Sequence, residues 1–423
     1  MKPTLVISCP ASSRSGYGDH ARDIIKSLIK MDKFDIKVLD QRWGQCPRTE
    51  LTEGDDIQKL VIPPGTQIPS QPDVWIQVTV ANEFIKMGKY NIGITAGIET
   101  DRCSPEFLQG CNNMDLIIVP SEFSKQVLES TAYDGKDQNG NKATLKLNKP
   151  VEVVLEGLDI NVFKKTSEKE PLVEELMSSV NSDYCFLFVG HWLQGAVGHD
   201  RKDISTMIDV FNKTFKNKSK KNQPALILKT GMAGFSRVDE HQLRRRVLSL
   251  TGTDGPEIKI IHGDLTPSEL NALYNHPKIK TMVSFTKGEG FGRPLLEFGM
   301  TGKPILASNW SGHVDFLGEY GTLLPGEIKD VHQTCFVDKL IIQGSKWFYI
   351  NPNTASSYMK SVYKDYKVFL ENARKQPSYI KKNFTLEHAD DIYRKVIDKY
   401  VPEFPTSIKL KLPKLKQPKM EKV

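Results

Sequence analysis

No stretch of this chain approaches the roughly 20 consecutive apolar residues that cross a bilayer, so a membrane-spanning helix is not expected within it. The opening run from Met1 to Pro10 has too short an apolar core for a signal peptide and reads as a first buried strand. Cysteine is sparse: Cys9, Cys46, Cys103, Cys111, Cys185 and Cys335 form no CxxC pair and no repeated spacing. Neither a disulfide framework nor a zinc site is expected, and reduced thiols in a cytoplasm fit better. The nine histidines form no ligand-spaced cluster either, so no metal is expected. Charge of one sign is in only modest excess, with a net +7 in a chain 39% hydrophobic and 26% charged, the balance of an ordinary globular protein. Much of that excess lies at the end. Between Ile408 and Val423, Lys409, Lys411, Lys414, Lys416, Lys419 and Lys422 face one acid, Glu421. A solvated tail and an electrostatic arm for nucleic acid or an anionic membrane face both fit.

What is present is alternation. Length alone, 423 residues, suggests two or three domains. Short apolar runs alternate with amphipathic stretches, the pattern of βαβ units on a parallel sheet. Strands are expected at Thr4–Cys9, Ile36–Leu39, Val74–Val78, Ile92–Ala96, Leu116–Val119 and Val151–Leu155. Asp19–Lys30 carries Ala21, Ile24, Ile25, Leu28 and Ile29 at helical spacing, with Asp19 in the place of an N-cap. Residues 134–148 are polar and glycine-containing and read as an inserted loop or hairpin. Composition turns charged around Lys164–Glu170, the expected linker. A second series follows at Tyr184–Gly190, Ala225–Thr230, Ile258–His262, Thr281–Phe285 and Ile305–Ser308. Helices are expected at Ile204–Phe215, Ser268–Tyr274, Thr354–Arg374 and Leu386–Tyr400. The expectation is an α/β protein of two Rossmann-like domains, 1–165 and 166–380, then a closing helix at 381–400 and a basic tail at 401–423. A ligand cleft would lie between the carboxyl ends of the two sheets.

The stretch richest in chemistry is Thr286 to Glu297, TKGEGFGRPLLE, which follows a strand-like run and opens an apolar helix. Pro294 suits a first helical turn because it has no N–H to lose there. Gly288, Gly290 and Gly292 allow backbone N–H groups to approach an anion, and a helix start adds positive potential. Glu289 and Glu297 flank that start, and a carboxylate matches a vicinal diol because each oxygen can accept one hydroxyl. A surface acid on a helix start and a plain glycine turn are the structural alternatives.

Two glutamates with seven residues between them, written around Gly-Phe-Gly-x-Pro-Leu-Leu-Glu, closely resemble the donor motif of retaining glycosyltransferase family 4 and its relatives. The match continues in Gly302 to Ser308, in Ser311-Gly312-His313 and, upstream, in His262 to Thr266. The resemblance runs through most of 184–320 and more weakly through the first half. It implies a GT-B fold and a nucleotide diphosphate sugar donor, most readily a UDP-sugar, bound as substrate without a cofactor. It further implies that Glu289 contacts the transferred sugar and Glu297 the ribose, with Gly290, Phe291 and Gly292 completing the donor loop. Arg201 and Lys202, before the helix at 204, and Lys229, at a strand end, resemble the basic residues that neutralise the leaving diphosphate. One departure stands out: many relatives carry an arginine after the glycine that closes the first C-terminal strand, whereas this chain has Gly190-His191 and a longer loop before Arg201. In the first half, Ser13 to Gly18 resembles the family's glycine loop, placing Gly16 and Gly18 toward the donor and Tyr17 toward the acceptor. A loop bearing Glu99 and Asp101 resembles one that faces the cleft, with Asp101 as candidate catalytic group and Glu99 as acceptor contact; a surface salt bridge to Arg102 is the alternative.

The function implied is transfer of a sugar to an acceptor hydroxyl with retention and without a metal. Two acceptor readings stand: a hydroxymethylated base in duplex DNA, as in bacteriophage base glycosylation in a host cytoplasm, or a lipid-linked glycan, polysaccharide or small molecule. A third possibility is a non-catalytic GT-B binding module.

Overall fold

A computed structural model describes residues 2–405, except 64, 67, 69, 137, 138, 194 and 233–235. Most of the expected basic tail therefore lies outside the described residues.

The N-terminal half runs β1 (Thr4–Cys9), α1 (Gly16–Met31), β2 (Asp35–Asp40), β3 (Val74–Val78), β4 (Tyr90–Ile94), α2 (Pro105–Asn113), β5 (Leu116–Val119), α3 (Glu122–Ser130), β6 (Ala132–Lys136), β7 (Lys142–Lys146) and β8 (Val151–Val153). Its sheet has the order β2-β1-β3-β4-β5-β8, with every pair parallel. The second half runs α4 (Pro171–Ser178), β9 (Cys185–Val189), α5 (Ile204–Phe215), β10 (Ala225–Lys229), α6 (Arg237–Thr251), β11 (Ile258–Ile261), α7 (Pro267–Asn275), β12 (Ile279–Ser284), α8 (Arg293–Gly299), β13 (Ile305–Ser308), α9 (Val314–Leu317) and β14 (Thr322–Leu324). Its sheet, also parallel throughout, is β11-β10-β9-β12-β13-β14. The chain ends with a hairpin of β15 (Gly326–Asp330) and β16 (Lys346–Ile350), then α10 (Pro352–Lys364), α11 (Tyr366–Ala373), α12 (Gln376–Asn383) and α13 (Leu386–Tyr400).

Each sheet buries apolar runs on both faces, as parallel strands must. Leu5, Ile7, Val74 and Ile76 pack with Ile24 and Leu28 of α1 and with Tyr393, Val396 and Ile397 of α13, so the last helix returns to the first domain. Phe186 and Phe188 of β9 pack with Phe211 and Phe215 of α5 in a core of the second domain. The polar insertion is an antiparallel hairpin of β6 and β7. The helix expected from Asp19 starts a turn earlier. Ser15 caps it, accepting from the Gly18 N–H at 3.1 Å, while Asp19 sits in the first turn and pairs with Arg22. Capping needs extended backbone and an oxygen just before the first turn, and Ser15 has both. No helix among the described residues is long and apolar enough to cross a membrane.

Candidate functional site

The sheets' carboxyl ends place the loop after β12 opposite the loop after β4. Backbone meets backbone there with no room for side chains. A Cβ on Gly288 would lie 1.9 Å from the Glu99 carbonyl oxygen, and one on Gly290 2.0 Å from that of Ala96. These two glycines are therefore required by the contact between domains, a reason beyond the anion approach read from their spacing. Gly292 caps α8 at φ +100°, a left-handed conformation that favours glycine. α8 spans only Arg293–Gly299, with Pro294 in its first turn. In that turn Pro294 has no N–H and Leu295 N already donates to the Gly292 carbonyl at 3.0 Å, so few free N–H groups and no long helix dipole are there to attract an anion.

Glu289 lies in this contact, buried at 7% exposure. Its Oε1 accepts from Thr286 Oγ1 at 2.7 Å and pairs with Lys202 Nζ; Oε2 pairs with Arg201 at 3.1 Å. Its backbone is pinned too, by N–H donation to Ser311 Oγ at 2.9 Å and by acceptance from Gly312 N at 3.0 Å. Burial alone would push this carboxyl up, but Lys202 and Arg201 beside it hold it down at about 2. Arg201 also donates to the Gly288 carbonyl at 2.8 Å and pairs through Nε with Glu99 at 2.9 Å. The long loop after His191 thus folds back to deliver Arg201 and Lys202 to Glu289, while His191 itself is exposed.

That loop is held by Lys287, which has 0% exposure. Its ammonium donates to the carbonyls of Gly198 at 2.8 Å and Asp200 at 3.0 Å, pairs with Asp203 at 3.1 Å, and lies 4.5 Å from the centre of the Tyr349 ring. Lys287 N donates to the Arg201 carbonyl at 2.7 Å, joining the two loops a second time. Asp203, which precedes α5 at φ +50°, bonds Thr206 Oγ1 at 2.7 Å; burial pushes its carboxyl up to about 6 despite Lys287. None of this was visible in the sequence, where a lysine beside a glycine loop reads as solvated.

Glu297, also 7% exposed, sits on the inner side of α8. Tyr274 of α7 donates to its Oε2 at 2.9 Å. Burial pushes its carboxyl up to about 7 against the pull of Arg293 and the Tyr274 hydroxyl. Arg293 is itself engaged across the domain boundary, with Asp23 of α1 at 2.9 Å and Glu156 at 3.3 Å.

The other candidates divide. Glu99 joins the Arg201 cluster. Asp101 instead accepts from Lys346 N at 2.6 Å and returns its own N–H to the Lys346 carbonyl at 3.2 Å, fastening its loop to β16. Lys229 donates to the Gly263 carbonyl at 2.7 Å, near Arg14 and Asp264, which pair at 2.9 Å between domains. Phe291 is 3% exposed and packs on Phe316, so its ring belongs to the core. A Cβ on Gly18 would meet the Ser13 carbonyl at 2.0 Å, whereas Gly16 has open space. Tyr17 accepts from Ala96 N at 3.0 Å and stacks on Trp43 at 4.1 Å. His313, part of the motif match but given no role there, is wholly buried beside Gly292, with Nε2 donating to the Ser308 carbonyl at 2.7 Å. Among the described residues no group of three His, Cys, Asp or Glu side chains could hold a metal ion.

No protein-family model and no curated protein sequence matches the chain. Solved structures do. HepE of Anabaena in complex with UDP-glucose is 14% identical with a TM-score of 0.58, over 94% of this chain and 100% of that one. A glycosyltransferase from Rickettsia africae is 13% identical at 0.60, over 95% and 99%. Sucrose-phosphate synthase from Thermosynechococcus elongatus is 13% identical at 0.60, over 94% and 100%. The chain has the GT-B fold. At such identities the likeness establishes architecture, and the chemistry must be argued from the site.

Proposed function

We propose that the cleft binds a nucleotide diphosphate sugar, a UDP-sugar in the first instance, and that the protein transfers the sugar to an acceptor hydroxyl with retention at the anomeric carbon. The observation that carries this reading is Glu289, a carboxylate held ionised between Arg201 and Lys202 where the two domains meet. In this reading Glu289 contacts the sugar, and Glu297, with Oε2 bonded to Tyr274, offers Oε1 to the ribose. Gly292 and the first turn of α8 face the diphosphate together with Arg201 and Lys202, and Lys229 contributes more remotely. The UDP-glucose bound by HepE supports the donor class.

The acceptor oxygen attacks the anomeric carbon on the face the diphosphate leaves. The bond to the leaving oxygen breaks, and the acceptor proton passes to a phosphate oxygen. The growing charge is met by Arg201 and Lys202, so no metal is called for; each such contact contributes about 2.7–4 kcal/mol at a developing anion. Glu99 and Tyr17 border the acceptor side, and Asp101 positions the loop that carries Glu99 through Lys346.

Hydrolysis and transfer assays with UDP-, GDP- and ADP-sugars, with and without EDTA, test the reading. Turnover of a UDP-sugar that survives EDTA and is lost in Glu289→Ala is expected. Full turnover in both Glu289→Ala and Glu297→Ala contradicts the site, and an inverted anomeric coupling in the product's NMR spectrum contradicts retention.

A further inference from the structure

Away from Glu289, the two domains meet again through one guanidinium that serves two carboxylates. Arg293 opens α8, and its Nη1 lies 2.9 Å from Asp23 Oδ2 of α1 and 3.3 Å from Glu156 Oε2. Glu156 stands where the chain passes from one domain to the other, since Val154 packs in the first core and Leu158 in the second. The returning strand of chain runs beside it: Leu158 N donates to the Phe384 carbonyl at 2.8 Å, and Leu386 N to the Leu158 carbonyl at 3.2 Å. The other ionisable groups around Arg293 are already engaged or neutral. Asp19 pairs with Arg22, and Asp390 of α13 with Lys30. His20 is buried, and its burial together with Arg293 pushes the ring down to about 3. Burial pushes the Tyr393 hydroxyl of α13 up, so it too stays neutral.

Arg293 has a second carboxylate at hand. Glu297 lies four residues further along α8, the spacing at which helical side chains are neighbours. Among the described residues the two nevertheless form no ion pair. The guanidinium is drawn across the boundary to Asp23 and Glu156, and Glu297 bonds Tyr274 through Oε2. A buried guanidinium is costly without a partner. With Asp23 and Glu156 neutralised, and Asp19 committed to Arg22, the carboxylate left to it on its own helix is Glu297. The oxygen it would take is Oε1, which Tyr274 leaves open.

We infer that Asp23 and Glu156 are positioning residues for the donor: by holding Arg293 across the domain boundary, they keep Glu297 Oε1 free for the ribose. The inference rests on the reading of Glu297 as the ribose contact. It makes a donor contact of the second domain depend on an acid of the first domain and on one at the crossing, so donor affinity follows how the domains meet.

Calorimetric titration of the full chain at about pH 8 with UDP-glucose, and with its analogue lacking both ribose hydroxyls, tests it. Glu297, which titrates near 7, is then mostly ionised. The unsubstituted chain should prefer UDP-glucose about tenfold or more, the contribution of a hydrogen bond to a charged group. With Asp23→Asn and Glu156→Gln combined, the preference should fall to about threefold or less, while the analogue binds as before. Asp23→Asn alone leaves Glu156 on Arg293 and should give a smaller loss in the same direction. It serves as the test should the double variant fold poorly. A preference that stays whole in these variants, including one where both ligands weaken equally, overturns the positioning role, provided that Glu297→Ala abolishes it. An unsubstituted chain without preference, or a preference that survives Glu297→Ala, overturns the donor reading instead.

Discussion

Glu289 and Glu297 stand on either side of one glycine loop, equally buried, yet their surroundings act on them in opposite directions. Glu289 has two cations within contact and a hydroxyl besides, and stays ionised down to about 2. Glu297 has the Tyr274 hydroxyl, and its nearest cation, Arg293, is shared with Asp23 and Glu156, so burial wins and the carboxyl titrates near 7. The difference lies in where the cations are tied. A buried carboxylate is held charged by an ion pair of its own, not by a neighbouring charge already engaged elsewhere. In the proposed roles this contrast is useful: the group facing the sugar keeps its charge at every working pH, while the group facing the ribose adds a pH dependence to donor binding.

The largest effect should come from breaking the Glu289 side at its base. Lys287→Met leaves Asp203 buried without its partner, and losing one member of a buried pair typically costs about 3–5 kcal/mol of stability. Asp203 can escape that cost by taking a proton. Its carboxyl is already raised to about 6, so the loss should be greatest above that pH and shrink below it, as urea denaturation at about pH 5 and about pH 8 would show. A loss independent of pH would mean that Lys287 acts through its carbonyl contacts alone.

Arg201→Ala comes next. It removes one cation from Glu289 and one domain contact to Glu99, and transfer should slow by the equivalent of about 2.7–4 kcal/mol, measured as kcat with saturating donor. An unchanged kcat would separate Glu289's charged state from catalysis.

The smallest effect is expected at Asp101. Asp101→Asn keeps an oxygen for Lys346 N, so stability should fall by no more than about 1.5 kcal/mol. Activity should follow that small loss in thermal and kinetic assays. A collapse of kcat would restore Asp101 to the reacting atoms.

Much of the frame was legible because buried parallel strands and amphipathic helices write themselves in apolar periodicity. β3, β5, α5 and α13 begin and end where the pattern placed them. The start of α1 was displaced because Ser15 and Asp19, one turn apart, both suit a helix start, and only backbone geometry separates them. At the site, the glutamates and the Arg201-Lys202 pair were named in advance through their resemblance to a known donor motif, and the structure brings Glu289, Arg201 and Lys202 together. Lys287, Arg293 and Tyr274 could not, since their partners lie far along the chain and no spacing links a buried lysine to the loop it braces.

The account is tested most directly by the affinity for UDP-glucose as a function of pH, since its diphosphate carries no proton that titrates near neutrality. If Glu297 binds the donor as a carboxylate, affinity should rise with pH and level off above about 7, losing close to tenfold for each unit below. In Glu297→Gln the affinity should be weaker and the profile flat. A wild-type affinity that is flat from about pH 5.5 to 8, or a slope that persists in Glu297→Gln, would contradict it.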